Sequence, residues 1–178
     1  MNGVRGFTLV ELMMATALVA TLLAVGLPPL GDALRRQRVT ASMQMLMADM
    51  AMARNTAVMR GQQVVLCPSA GGTECAGGLD WSRGWLVYVD ADGNRRPDAP
   101  ADLLRATAAP GGADGLKLTS SRPYLRYQAD GRSAHSNLTL SVCAGTSLEG
   151  RLVVSNLGRV RSERPIDPAG CPVSTGSP

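Results

Sequence analysis

RGFTLVELMMATALVATLLAVGLPP, residues 5–29, is the stretch on which the reading of the chain turns. From Phe7 to Leu27 it is apolar except for Glu11 and the hydroxyls of Thr8, Thr16 and Thr21. A run of about 20 such residues matches the hydrocarbon core of a bilayer. A carboxylate at that depth costs about 2.5–3.5 kcal/mol on insertion scales, so Glu11 needs a partner. Ahead of the run stands a short leader, residues 1–6, with Arg5 as its only charge. An ordinary secretory signal has a shorter apolar part followed by a small-residue cleavage site. Here the order is reversed.

Read as G-F-T-L-V-E from Gly6 to Glu11, the junction resembles the type IV prepilin class III signal of pilins and type II secretion pseudopilins. The resemblance implies that a prepilin peptidase cuts between Gly6 and Phe7 and methylates the new amine of Phe7. It also implies a helix held in the bacterial inner membrane as a single pass until assembly with other pilin subunits. Glu11 would then face the N-terminal amine of a neighbouring subunit, or its own.

Pro28 and Pro29 lack amide donors and crowd the preceding turn, so an interruption of the helix is expected there, after a transmembrane part over 7–30. Over 31–60 apolar residues recur at helical spacing: Leu34, Val39, Met43, Leu46, Met47, Met50, Ala53, Ala57 and Val58. This amphipathic continuation should dock on a domain. Arg35, Arg36 and Arg38 fall just past the membrane segment, on the periplasmic side for this signal, and read as a solvated face.

A chain of 178 residues has room for one such helix and one compact domain. After Gly61 the pattern changes to short alternating runs separated by Gly, Pro, Asp and Asn, which makes 61–178 a β-rich domain and the whole chain α+β. Candidate strands are Gln63–Cys67, Trp85–Asp90, Leu116–Thr119, Tyr124–Gln128, Leu138–Cys143 and Arg151–Asn156. The pieces ARNTAVMRGQQVVLC, WSRGWLVYVDADGN, YQADGR and LVVSNLGRVR resemble the minor pseudopilin and FimT families. That likeness implies a long N-terminal helix packed on two small antiparallel sheets, with the domain in the periplasm and later on a pilus or the cell surface.

Four cysteines, Cys67, Cys75, Cys143 and Cys171, lack the paired Cys-x-x-Cys units of a zinc site, and the single His135 does not complete one. In an exported domain they form disulfides, and three pairings are possible. The favoured one joins Cys67 with Cys75 across a Gly-rich loop and Cys143 with Cys171, tying the tail to the body. Asp90, Asp92, Asn94 and Asp98 offer oxygen ligands, but the glycine is not where a calcium loop of the EF-hand type requires it, and a plain turn is favoured. Trp85 reads as core and Trp81 as cover for a loop, rather than as platforms for bases. Ser133 and Ser136 beside His135 make no triad, and neither a nucleophile elbow, a metalloprotease motif nor a Gly-rich phosphate loop is present. Neither enzyme activity nor a metal or cofactor is expected.

The net charge is +4 and nearly all the basic residues are arginine, which alone does not argue for nucleic acid. In NLGRVRSERP, however, Arg159, Arg161 and Arg164 recur closely. If the segment is extended, Arg159 and Arg161 share a side, and two guanidiniums there would engage successive phosphates without reading base edges. Arg151 adds charge if its strand pairs nearby. The unit Gly158-Arg159-Val160-Arg161 is similar to a Gly-Arg-x-Arg motif of FimT-type minor pilins, implicated in DNA capture during natural transformation. The likeness implies double-stranded DNA as a partner, with Arg159 and Arg161 in contact, Arg164 accessory and Gly158 permitting a turn. The rival reading is a minor pseudopilin of the type II secretion system, which shares the signal and the domain.

Overall fold

The structure, a computed structural model, describes residues 8–108, 116–166 and 169–172, without the side chains of 25–30. One helix, α1, runs Leu9–Arg60 and stops at Gly61, whose positive φ of 61° supplies the left-handed residue that closes many helices. The interruption expected at Pro28 and Pro29 does not end it. Each proline removes one backbone donor, and the flanking turns keep enough of theirs for the helical path to continue.

The chain divides into two compact units, residues 1–37 and 38–178. In the first, Leu9, Val10, Leu12, Met13, Leu18 and Leu22 are all exposed. Among the described residues no helix is long and apolar enough to cross a membrane. The span expected over 7–30 includes residue 7 and the side chains of 25–30, which lie outside the described residues.

In the second unit α1 buries Val39, Met43, Leu46, Met50, Ala53 and Ala57. Their alternating steps of four and three residues draw one continuous stripe along the helix. Leu34 and Val58, expected on that stripe, are exposed, because neither position keeps the alternation.

Eight strands follow: β1 Gln63–Pro68, β2 Gly84–Asp90, β3 Leu103–Ala108, β4 Leu116–Ser120, β5 Leu125–Tyr127, β6 Thr139–Ala144, β7 Ser147–Val154 and β8 Val160–Glu163. They form two antiparallel four-stranded sheets, ordered β3-β2-β1-β5 and β4-β6-β7-β8. The α1 stripe, Val64, Leu66, Trp85, Val87, Leu125 and Tyr127 of the first sheet, and Leu118, Leu140, Val142, Leu152 and Val154 of the second make one core. Trp81 belongs to this core and is fully buried; it does not cover a loop as expected, because its backbone N–H donates to the Leu118 carbonyl (2.9 Å) and draws the segment inward.

Asp49 is a buried acid on the helix face that meets the first sheet. Its Oδ2 accepts from Trp85 Nε1 (2.7 Å) and Thr107 Oγ1 (2.8 Å), and its Oδ1 accepts from Arg105 Nη1 (2.7 Å). A buried carboxylate is tolerated only with such a set of donors.

Disulfides join Cys67 to Cys75 and Cys143 to Cys171. The second ties the tail to β6, and the tail also bonds through Leu148 N to Ala169 O (2.9 Å) and Cys171 N to Thr146 O (2.8 Å).

Two glycines seat the turn between β7 and β8. Gly131 has φ 76°, and a Cβ there would stand 2.9 Å from Val58 Cγ2 and 3.2 Å from Arg54 Nε on α1. Gly158 has φ 75°, and a Cβ there would collide with the Gly131 carbonyl oxygen and lie 3.1 Å from Tyr127 Cε1. Arg54 Nη2 donates to the Leu157 carbonyl (3.2 Å), Ser133 N to Asn156 O (3.1 Å) and Ser133 Oγ to Ser155 O (2.7 Å). The helix end thus meets the 128–133 turn through the Val58 and Arg54 side chains, and that turn lies backbone to backbone on the β7–β8 turn.

Asp49→Ala should lower unfolding free energy by about 2–4 kcal/mol, since it strands the Trp85 indole N–H inside the core and removes the partner of the half-buried Thr107 hydroxyl. The tryptophan fluorescence midpoint of the detergent-solubilised chain in urea measures this, and an unchanged midpoint would refute it. Gly158→Ala should cost about 2–4 kcal/mol from the left-handed backbone and the collision with Gly131. Asn156→Ala, in the same turn but exposed and with ordinary φ, should shift that midpoint far less.

Candidate functional site

Arg159 and Arg161 belong to the β7–β8 hairpin. Ser155 N donates to Arg159 O (3.0 Å) and Gly158 N to Ser155 O (2.8 Å), closing the turn. In register, Val153 faces Arg161 and Arg151 faces Glu163. Leu152 and Val154 are buried in the core, so Arg151, Val153 and Ser155 lie on the opposite face of the strand, with Arg161 across from them. Val153, Ser155, Arg159, Val160 and Arg161 line an open hollow of about 350 Å³.

Both arginines are exposed. Among the described residues the guanidinium of Arg159 has no partner, whereas Arg161 Nε donates to Glu163 Oε1 at 2.9 Å. Arg164 behaves differently. Its Nη2 donates to Thr40 Oγ1 on α1 (2.8 Å), so it is held against the helix instead of joining the hollow. The arginine motif does not point to Ser155, yet its Oγ is buried in the hollow's wall and has no hydrogen-bond partner among the described residues. The strand alternation that buries Leu152 and Val154 is the signal in the sequence that marks it. Two planar cations beside a small apolar floor suit an oxyanion.

At the start of α1 Glu11 and Thr8 form a reciprocal cap. Thr8 N donates to Glu11 Oε2 (3.4 Å) and Glu11 N to Thr8 Oγ1 (3.3 Å). This is a capping box, and its signature in the sequence is T-x-x-E, which a reading of Glu11 as a lone acid in an apolar run overlooks. Gly6 and Phe7 lie outside the described residues.

The other candidate groups serve the fold. Asn94 Nδ2 sits between Asp92 Oδ2 (2.8 Å) and Asp98 Oδ1 (3.0 Å), so an amide holds those two carboxylates together. Burial pushes the Asp90 carboxyl up from its ordinary value, against backbone donation from Arg95 and Gly93. Among the described residues no group of three or more His, Cys, Asp or Glu side chains is arranged to hold a metal ion. Ser133 Oγ and Ser136 Oγ donate to the Ser155 and Arg126 carbonyls (2.7 and 2.9 Å), so neither hydroxyl is offered to His135. Trp81 and Trp85 are fully buried and present no stacking surface.

The family model of type II transport protein GspH matches residues 42–158, and the model of the prokaryotic N-terminal methylation motif matches residues 1–27. No curated protein matches the chain. Among solved structures, the type IV minor pilin FimU of Pseudomonas aeruginosa is similar, with 20% identity, a TM-score of 0.58, and 76% of this chain and 95% of that one covered. The minor pseudopilin EpsH from the type 2 secretion system of Vibrio cholerae is similar with 14% identity, a TM-score of 0.52, and 73% and 99% covered. At these identities the likeness is one of fold. Its helix, its paired sheets and the GspH match over most of its length make this chain a member of the GspH family, within the type IV pilin-like superfamily of minor pilins and pseudopilins.

Proposed function

We propose that the protein is a FimT-like minor pilin, trimmed after Gly6 and methylated at Phe7 by a prepilin peptidase and anchored in the inner membrane by residues 7–30 until assembly. It then enters a pilus and binds extracellular double-stranded DNA for uptake in natural transformation. The observation that carries this reading is the β7–β8 hairpin, which holds Arg159 and Arg161 exposed beside one hollow on a turn locked by two glycines. Such a pair neutralises phosphates without contacting base edges, so the binding is sequence-tolerant and salt-sensitive. Arg151 lies on the same face and adds to the field. Arg164, held by Thr40, contributes at longer range.

A second reading, the minor pseudopilin of a type II secretion system, is favoured by the GspH match over residues 42–158. It has no need of Arg159 and Arg161. The two readings diverge in cells: loss of the protein abolishes DNA uptake in the first and exoprotein secretion in the second.

Glu11 is assigned to assembly. Its Oε2 serves the capping box, and among the described residues Oε1 has no partner, which leaves it for the amine of a neighbouring Phe7.

The purified chain in detergent should bind mixed-sequence duplex DNA with micromolar or weaker affinity, with a log–log salt slope of about −1 to −2. Arg159→Ala with Arg161→Ala should reduce that binding at least tenfold; binding equal to the wild type in fluorescence anisotropy would remove the DNA reading. Glu11→Ala should still lose its leader, by mass spectrometry, yet enter sheared filaments poorly. Normal recovery of that variant in filaments would contradict the charge pairing.

A further inference from the structure

The candidate site already contains an anion. Glu163 Oε1 accepts from Arg161 Nε at 2.9 Å, and the same residue is the register partner of Arg151 across the hairpin. Both side chains of the Arg161–Glu163 pair are well exposed, at 70% and 44%. An exposed ion pair of this kind adds little to the fold. Its effect on an incoming anion is direct, because the carboxylate occupies the Nε edge of the guanidinium, one of the edges through which arginine grips a phosphate.

We propose that Glu163 is an intramolecular competitor for the phosphate site, lowering the affinity of each subunit by engaging Arg161 and shielding Arg151. The inference rests on the reading of Arg159 and Arg161 as a phosphate-binding pair. A phosphate entering the hollow finds Arg159 unengaged and must displace the carboxylate from Arg161. Single-subunit binding is thereby weak and quickly reversed, and firm capture requires several subunits on one DNA molecule.

The test uses the full chain in detergent micelles and a fluorescent mixed-sequence DNA duplex, with anisotropy measured over a salt series. Glu163→Gln keeps the shape of the side chain and removes its charge. It should tighten binding about three- to tenfold at moderate salt and steepen the salt slope by about one. The gain should shrink at least threefold when Arg161 is already alanine, which separates competition at Arg161 from a general change in net charge. An E163Q affinity within twofold of the wild type, while the Arg159→Ala, Arg161→Ala double variant loses binding, overturns the inference and leaves the DNA reading standing. An equal gain with and without Arg161 also overturns it. Wild-type binding by the double arginine variant removes the DNA reading and the inference together. Unchanged tryptophan fluorescence shows that each variant is folded.

Discussion

The buried carboxylate of Asp49 is the constraint on which the arrangement of the domain depends. The apolar stripe of α1 supplies the helix's share of the core, but three methionine or leucine side chains and two alanines along it are forgiving of small slips. Asp49 is not forgiving. Its two oxygens take donors from Trp85 on β2 and from Arg105 and Thr107 on β3, so rotating the helix by one residue, or sliding it by a turn, would strand the acid and the indole N–H together. The polar group thus selects one register from those that hydrophobic contact permits. With that register set, the helix end lies over Gly131, Gly131 lies against Gly158, and Gly158 determines where Arg159 begins.

Much of this is legible in the sequence, and the exceptions have identifiable causes. The helical continuation and five of the strands follow from apolar spacing, and the disulfide partners are those favoured from the placement of the four cysteines. β7 begins earlier than expected, at Ser147, because Gly145 with φ 59° turns the chain directly back from β6. β3 is not among the expected strands. Leu103 and Leu104, as strand neighbours, point to opposite faces and pack in different clusters, so the apolar alternation that marks a strand is broken at its start, where the register against β2 also shifts at Val87/Tyr88. Asp49 is hidden for a different reason: an acid in a helix reads as solvent-facing, and only the tertiary donors make it a core residue. In the candidate site Arg159 and Arg161 are visible as a motif, whereas the diversion of Arg164 to Thr40 depends on where α1 passes.

Glu11 and Asp49 show two ways in which one helix keeps an acid. Asp49 lies in the body and is satisfied by fixed donors from strands. Glu11 lies in the first turn, where backbone N–H groups lack intrahelical acceptors, and its Oε2 meets the Thr8 N–H through a local box that requires no other chain. The cap and the proposed subunit pairing use different oxygens of one carboxylate, so they are compatible. A carboxylate that is half satisfied within its own helix is easier to keep near the bilayer before assembly than one with no local partner, while its other oxygen still favours a cationic neighbour.

A fold shared at 14–20% identity with a minor pilin and a minor pseudopilin is neutral with respect to DNA, because the layers that define it are filled by core residues indifferent to what the surface meets. Function must then ride on surface segments whose conformation the core dictates. The β7–β8 turn has this character. It is exposed at Arg159 and Arg161 yet joined by backbone contacts to the 128–133 turn and to Arg54, so the proposed binding of an anion would require little further ordering. Two guanidiniums on a mobile tail would lose much of their Coulombic gain to that ordering. Held on a hairpin whose far side is the core, they would lose less, and this is the physical basis of the proposed binding by a motif of so few residues.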